Sequence, residues 1–222
     1  MPEFMPPGNI WALVPFKGPD GAKERLSAYL SARERRDLTL AMVQDVLDAL
    51  TRASLSGVLV VSRSPTALEL VREFNAEVFA DSANDLTGAV TEASDFVANR
   101  ADGTMIVHGD LPLLTTDEVN HALRSHRDIT LVPDRHDIGT NCIIATPPNA
   151  MTYQFDGTSF EPHQALAREA GFEPRIVRLP GFGLDIDTID GLRAFAAAGS
   201  DTRSGRLLAK TGVASRLSAT HN

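Results

Sequence analysis

The feature that most constrains this chain is an alternation. Short continuous apolar runs recur between segments whose apolar residues fall at helical spacing. Residues 10–14 (Ile-Trp-Ala-Leu-Val) form such a run and stop at Pro15, as a buried parallel strand does. Ser31 and Glu34 make a capping box, and the helix they open runs to about Arg52, with Leu38, Met42, Val46, Ala49 and Leu50 on one face. Residues 57–62 read as a second strand, 65–74 as a short helix and 77–80 as a weaker strand. Leu86, Val90, Ala93 and Val97 mark another helix, 104–108 a fourth strand, and Val119, Ala122, Leu123 and His126 one face of the helix after it. Residues 128–132, 140–145 and 175–179 read as further strands, 184–187 as a short extended piece, and Thr188 opens a last helix. This order specifies an α/β fold: three layers, a mostly parallel sheet covered on both faces, with ligands at the carboxyl ends of the strands.

At 222 residues the chain is expected to be one domain. That domain spans 10–200, after a disordered 1–9 and before a basic tail at 201–222. The tail carries Arg203, Arg206, Lys210 and Arg216 and, from Arg203 on, no acid. It reads as a mobile surface segment, or as a contact for an anionic ligand or a partner subunit. Monomer and homodimer both stay open. Lys plus Arg is 21 against 29 for Asp plus Glu, a net −8, which speaks against a nucleic-acid partner. It does not exclude a mononucleotide, which a few local cations can hold. The lone Cys142 lies in an apolar run and reads as a core thiol, so neither a disulfide nor a zinc site is expected. The N-terminus has no leader character and no run nears ~18 apolar residues, so a cytoplasmic protein off the membrane is expected.

Several nucleotide and hydrolase signatures are absent: no GxGxxG, no GxxxxGK[ST], no HExxH, no GxSxG. Three other clusters fall at strand ends. Lys17, Lys23 and Arg25 sit among Gly18, Pro19 and Gly21, a composition that suits a triphosphate; an ordinary solvated loop is the alternative. Asp110 follows Gly109 directly after a buried strand, where it suits Mg²⁺ or caps a turn. Asp185 and Asp187 flank Ile186; in an extended segment both carboxylates share one side, about 7 Å apart at ~3.3 Å per residue, a spacing that suits a hard cation. Asp187 can equally cap the following helix.

Together with Val14-Pro15-Phe16-Lys17, Lys23-Glu24-Arg25-Leu26, Gly109-Asp110-Leu111-Pro112, Gly139-Thr140-Asn141, Ser159-Phe160 with His163, and Asp185-Ile186-Asp187-Thr188, the chain resembles the guanylyltransferases of coenzyme F-420 biosynthesis. That family comprises 2-phospho-L-lactate, phosphoenolpyruvate and 3-phospho-D-glycerate guanylyltransferases, and is similar to the molybdenum-cofactor guanylyltransferases. The resemblance covers about residues 10–198. It implies the nucleotide-diphospho-sugar-transferase (glycosyltransferase-A-like) nucleotidyltransferase fold and transfer of GMP from GTP to the phosphate of a three-carbon phosphoacid, releasing pyrophosphate.

The resemblance also implies residue roles. Lys17 and Lys23 would grip the GTP phosphates, with Arg25 and Gly109 beside them, and one or two Mg²⁺ ions would sit on Asp110, Asp185 and Asp187. Ser62 and the segment holding Thr87 and Gly88 would hold guanine and ribose. Arg135, Thr140, Asn141, Gly157, Ser159 and His163 would meet the acid. His108 and His136 read as ordinary, because an acceptor phosphate is already anionic and needs no base. Two positions depart from the family pattern. Thr87 stands where Asn is usual, and Asp156 follows Phe155 where Gly is usual; either Asp156 turns outward or Gly157 takes over the close approach. A molybdopterin-type guanylyltransferase is the alternative, but that family opens on Gly-Gly-x-Ser-x-Arg rather than Pro15-Phe16-Lys17-Gly18. A non-catalytic nucleotide-binding protein is the other, and three retained acids argue against it.

Overall fold

The computed structural model describes residues 8–219. The elements in chain order are β1 (Ile10–Pro15), α1 (Ala32–Thr51), β2 (Gly57–Val61), α2 (Pro65–Glu73), β3 (Glu77–Phe79) and α3 (Leu86–Val97). Then come β4 (Gly103–Val107), α4 (Thr116–Ser125), β5 (Ile129–Pro133), β6 (Thr140–Ala145) and α5 (Phe160–Glu169). The chain ends with β7 (Arg175–Ile176), α6 (Pro180–Gly183), α7 (Ile189–Ala198), α8 (Arg203–Thr211) and α9 (Val213–Ala219).

The seven strands form one sheet in the order β3-β2-β1-β4-β6-β5-β7. All pairings are parallel except those of β6, which runs antiparallel to both β4 and β5. The sheet is therefore mixed but mostly parallel. Alternation along each strand sends residues to opposite faces. Ala12, Val14, Val58, Val60, Met105 and Val107 meet Val43 and Val46 of α1, Leu70 of α2 and Val119 of α4. Leu13, Leu59, Ile106, Leu131 and Ile143 meet Val90 and Ala93 of α3 and Phe160 of α5. Cys142 is buried in the first of these layers, and burial pushes its thiol well up.

Most expected elements stand within a residue or two of their expected bounds. The capping box forms as expected: the Ser31 hydroxyl accepts from Glu34 N–H, and the Glu34 carboxylate accepts from Ser31 N–H. Three readings need correction. The strand expected at 175–179 is only the two residues of β7. The piece at 184–187 joins no strand; it is an irregular stretch after α6, although Ile186 is buried and Asp187 exposed as alternation requires. The basic tail is not a loose segment. Asp45, buried on α1, accepts from the backbone N–H groups of Arg203 and Ser204 at 2.8 and 2.9 Å, and so anchors the amino end of α8. Its arginines meet internal acids: Arg203 reaches Asp48 and Glu73, Arg206 reaches Asp201, and Arg216 reaches Glu34. Leu208, Val213 and Leu217 close a third apolar cluster with Leu26, Leu38, Met42, Ile186 and Phe195. The disorder expected at 1–9 falls outside the described residues for 1–7. Asn9 is fastened, its N–H to Asp102 Oδ2 at 2.8 Å and its Nδ2 to the Arg100 carbonyl at 2.6 Å.

Candidate active site

A cleft opens at the carboxyl ends of β1, β2 and β4. Because β6 is antiparallel, its amino end, Thr140 and Asn141, lies at the same edge of the sheet. One arm, of about 470 Å³, is lined by Ser62, Arg63, Asp81, Asp85 and Leu86. A second, of about 410 Å³, is lined by Gly18, Lys23, His108, Gly109, Asp110 and Asp187. Pro15, Phe16, Lys17 and Leu86 border both, so the two arms are continuous.

The loop after β1 is shaped for the second arm. Gly18 has φ +98°, a conformation that favours glycine, and a Cβ there would also crowd Ser64 Oγ at 2.8 Å. Lys23 has φ 56° and ψ 40°, the left-handed region that non-glycine residues rarely adopt. That turn aims its side chain inward. Its Nζ donates to Asp110 Oδ2 and to Asp187 Oδ1, each at 2.5 Å. Ile186 N–H donates to the Asp110 carbonyl at 3.3 Å, which fixes the segment of Asp185 and Asp187 beside Asp110. Asn141 Nδ2 donates to the Phe182 carbonyl at 2.8 Å and reaches Asp185 Oδ1 at 3.4 Å.

The charges here are coupled. Burial pulls the Lys23 ammonium down, but the carboxylates of Asp110 and Asp187 outweigh it and raise its pKa. Burial pushes the Asp110 carboxyl up, but Lys23, with His108, holds it below the usual carboxylate range. Asp185 has no such cation. Burial, then the charges of Asp110 and Asp187, raise its pKa. Two of the three carboxylates share one ammonium, and Asp110 Oδ1 is buried without a hydrogen-bond partner. The donor set, all hard oxygens with charge left over, fits a divalent cation. As arranged, though, the three acids form no ready ion cage: among the described residues no group of three or more His, Cys, Asp or Glu stands in metal-holding geometry.

The remaining expected residues divide. Lys17 is exposed where the arms join, and Gly109 lines the second. Arg25 is exposed on the 3₁₀ turn Glu24–Leu26 and lines neither arm. Ser62 is buried, and its hydroxyl accepts from Ser64 N–H at 3.0 Å, so it shapes the first arm. Gly88 N–H satisfies Asp85, the N-cap of α3, at 2.7 Å. Thr87 Oγ1 accepts from Phe155 N–H at 3.1 Å, so this position ties α3 to the Phe155 loop.

Ser159 Oγ accepts from Thr140 N–H at 3.1 Å. His163 is fully buried: its Nε2 accepts from Gln154 N–H at 3.1 Å, so its Nδ1 carries the proton and donates to Thr140 Oγ1 at 2.9 Å. It braces this corner and has no nitrogen left for a ligand. Gly157 is exposed with φ +90°. Asp156 is exposed and holds Gln154 and Thr158, so the unexpected acid does turn outward. Arg135 is exposed; its Nε donates to His136 Nε2 at 3.0 Å, and its backbone N–H meets the Gly183 carbonyl. Sequence reasoning missed Arg63, Asp81 and His108 as lining residues. Each lies at or just beyond a strand's carboxyl end, and that position was the available signal.

The family profile described as "Guanylyl transferase CofC like" matches residues 10–222. The chain belongs to the CofC-like guanylyltransferase family. A phosphoenolpyruvate guanylyltransferase of Roseiflexus castenholzii is 36% identical over 199 residues, covering 90% of this chain and 93% of the relative. One from Sphaerobacter thermophilus is 38% identical, covering 83% and 91%. A 2-phospho-L-lactate guanylyltransferase from Methanoculleus marisnigri is 30% identical, covering 93% and 90%. Among solved structures, a Desulfovibrio desulfuricans protein with a provisional nucleotide-diphospho-sugar transferase assignment superposes with TM-score 0.75 at 18% identity, covering 94% of this chain and 98% of that one. The 4-diphosphocytidyl-2C-methyl-D-erythritol synthase of Anaerococcus prevotii superposes with TM-score 0.57 at 12% identity, covering 86% and 96%. At such identities the likeness establishes the fold alone, and it is the fold expected. The chemistry of this guanylyltransferase is nucleotidyl transfer.

Proposed function

We propose that this guanylyltransferase moves GMP from GTP to the phosphate of a three-carbon phosphoacid, phosphoenolpyruvate or 2-phospho-L-lactate, as a step of coenzyme F-420 biosynthesis. The carrying observation is the junction at Lys23. There the cationic loop meets the carboxylates of Asp110 and Asp187 within the second arm, whose rim at Lys17 is shared with the first.

An acceptor phosphate oxygen displaces pyrophosphate from the α-phosphorus in line, and the acceptor needs no deprotonation. The chief task is to hold two mutually repelling anions together. Ser62, Arg63 and Asp85 shape the arm for base and ribose. Lys17 offers charge to the phosphates from the shared rim, and Lys23 from the floor. Thr140, Ser159 and the Gly157 turn frame the acid, with Asn141 steadying Asp185. Asp110, Asp185 and Asp187 would hold Mg²⁺, which when bound neutralises phosphate oxygens. 3-Phospho-D-glycerate is the third acceptor to test. The test is incubation with GTP, Mg²⁺ and each acid separately, followed by mass spectrometry. A guanylylated phosphoenolpyruvate or phospholactate is expected; no guanylylated acid from any of the three overturns the reading.

A further inference from the structure

Phe155 lies between two histidines, its ring centroid 5.5 Å from His108 and 4.9 Å from His163. The two imidazoles are in opposite condition. His163 spends both nitrogens on Gln154 and Thr140. His108 Nε2 is closed off from solvent and has no hydrogen-bond partner. Buried polar groups are paired almost without exception, so an unpaired ring nitrogen at a cleft points to a ligand.

The place of His108 says which ligand. It follows β4 directly, and its N–H donates to the Asn141 carbonyl at 3.2 Å, which fixes the ring's origin. β4 stands between β1, whose loop carries Lys17 and Lys23, and β6, whose end carries Thr140. His108 lines the arm of Asp110 and Asp187 and not the arm of Ser62, Asp81 and Asp85. Through Phe155 it also packs toward the Thr140–His163 corner. An anionic oxygen can only accept, and a neutral imidazole can always present one N–H donor.

We propose that His108 is an acceptor-binding residue, its imidazole N–H donating to an anionic oxygen of the phosphoacid. This rests on the phosphoacid reading above. The test is steady-state kinetics with each substrate varied in turn. His108→Phe keeps a ring against Phe155 and removes both nitrogens. It is expected to raise KM for the phosphoacid about 10-fold or more while leaving KM for GTP within about 2-fold of wild type. His108→Gln restores a side-chain N–H donor and is expected to recover most of that loss. Should the Phe variant fail to fold by circular dichroism, His108→Leu carries the same expectation. The assignment is overturned by an unchanged phosphoacid KM, by an equal rise in KM for GTP, or by a Gln variant as impaired as the Phe variant. A wild-type enzyme that guanylylates no phosphoacid overturns the parent reading as well, and only that result does so.

Discussion

At the scale of single residues, the site turns on one lysine. The sequence placed Lys23 among cations for a triphosphate. The structure pairs it with two aspartates, from a left-handed backbone, and no composition or spacing reveals a φ of 56°. Lys23→Met leaves Asp110 and Asp187 without their shared ammonium. Unfolding in urea is expected to show a loss of about 3 kcal/mol, smaller when Mg²⁺ is present; equal midpoints with and without Lys23 would contradict this. Asp110→Asn is expected to cost roughly 100-fold in kcat while the protein stays folded, and near-wild-type turnover would remove Asp110 from the machinery.

Two other residues set a pH dependence. Burial lowers the pKa of His126 and of His163 to about 4, from an ordinary 6.5. Below the ordinary value the unfolded chain takes up protons that the folded chain refuses. Stability is therefore full above about pH 6.5 and is lost as pH falls toward 4, by ~3 kcal/mol for each ring. Urea midpoints from pH 7 to 4 should fall along that window. His163→Gln should flatten the slope; an unchanged slope would mean the ring is not the source.

At the scale of elements, legibility followed burial and capping. β1, β2, β4 and β6 lie inside the sheet and read as plain apolar runs, and α1 announced itself by Ser31 and Glu34. α5 was missed. Its N-cap Ser159 makes no side-chain cap, because that hydroxyl serves Thr140 N–H, and Pro162 sits in its first turn. α6 is only four residues, two of them glycine, and no periodicity can show in so short a piece. α8 looked like a tail because its partner, Asp45, lies 158 residues earlier. Asp45→Ala removes both acceptors at the amino end of α8 and is expected to destabilise by about 2 kcal/mol. Limited proteolysis should then cut near residues 199–202 well before the rest of the domain unfolds, whereas an unaltered cleavage pattern would show that α8 is held by its apolar face alone.

At the scale of the molecule, the net −8 that argued against nucleic acid is compatible with this cleft, because its cations are local. The Thr140 corner was legible as a motif, but not that Ser159 and His163 brace it. Side-chain direction there depends on a strand that runs against its neighbours, which spacing along one chain does not encode. GTP with Mg²⁺ at about 100 times its Kd is expected to add ~2.7 kcal/mol, a rise in Tm of roughly 5–10 °C. Chelation with EDTA should reverse most of that rise, and a shift that ignores EDTA would separate nucleotide binding from the carboxylates.

The reversed course of β6 has a consequence in time. A chain emerging from the ribosome has every strand of β3-β2-β1-β4 by residue 107, and with them the walls of the first arm. The other border of β4 waits for β6, and Asp185 and Asp187 come later still. In the life of each molecule, the half proposed for the nucleotide is made before the half proposed to give it somewhere to go.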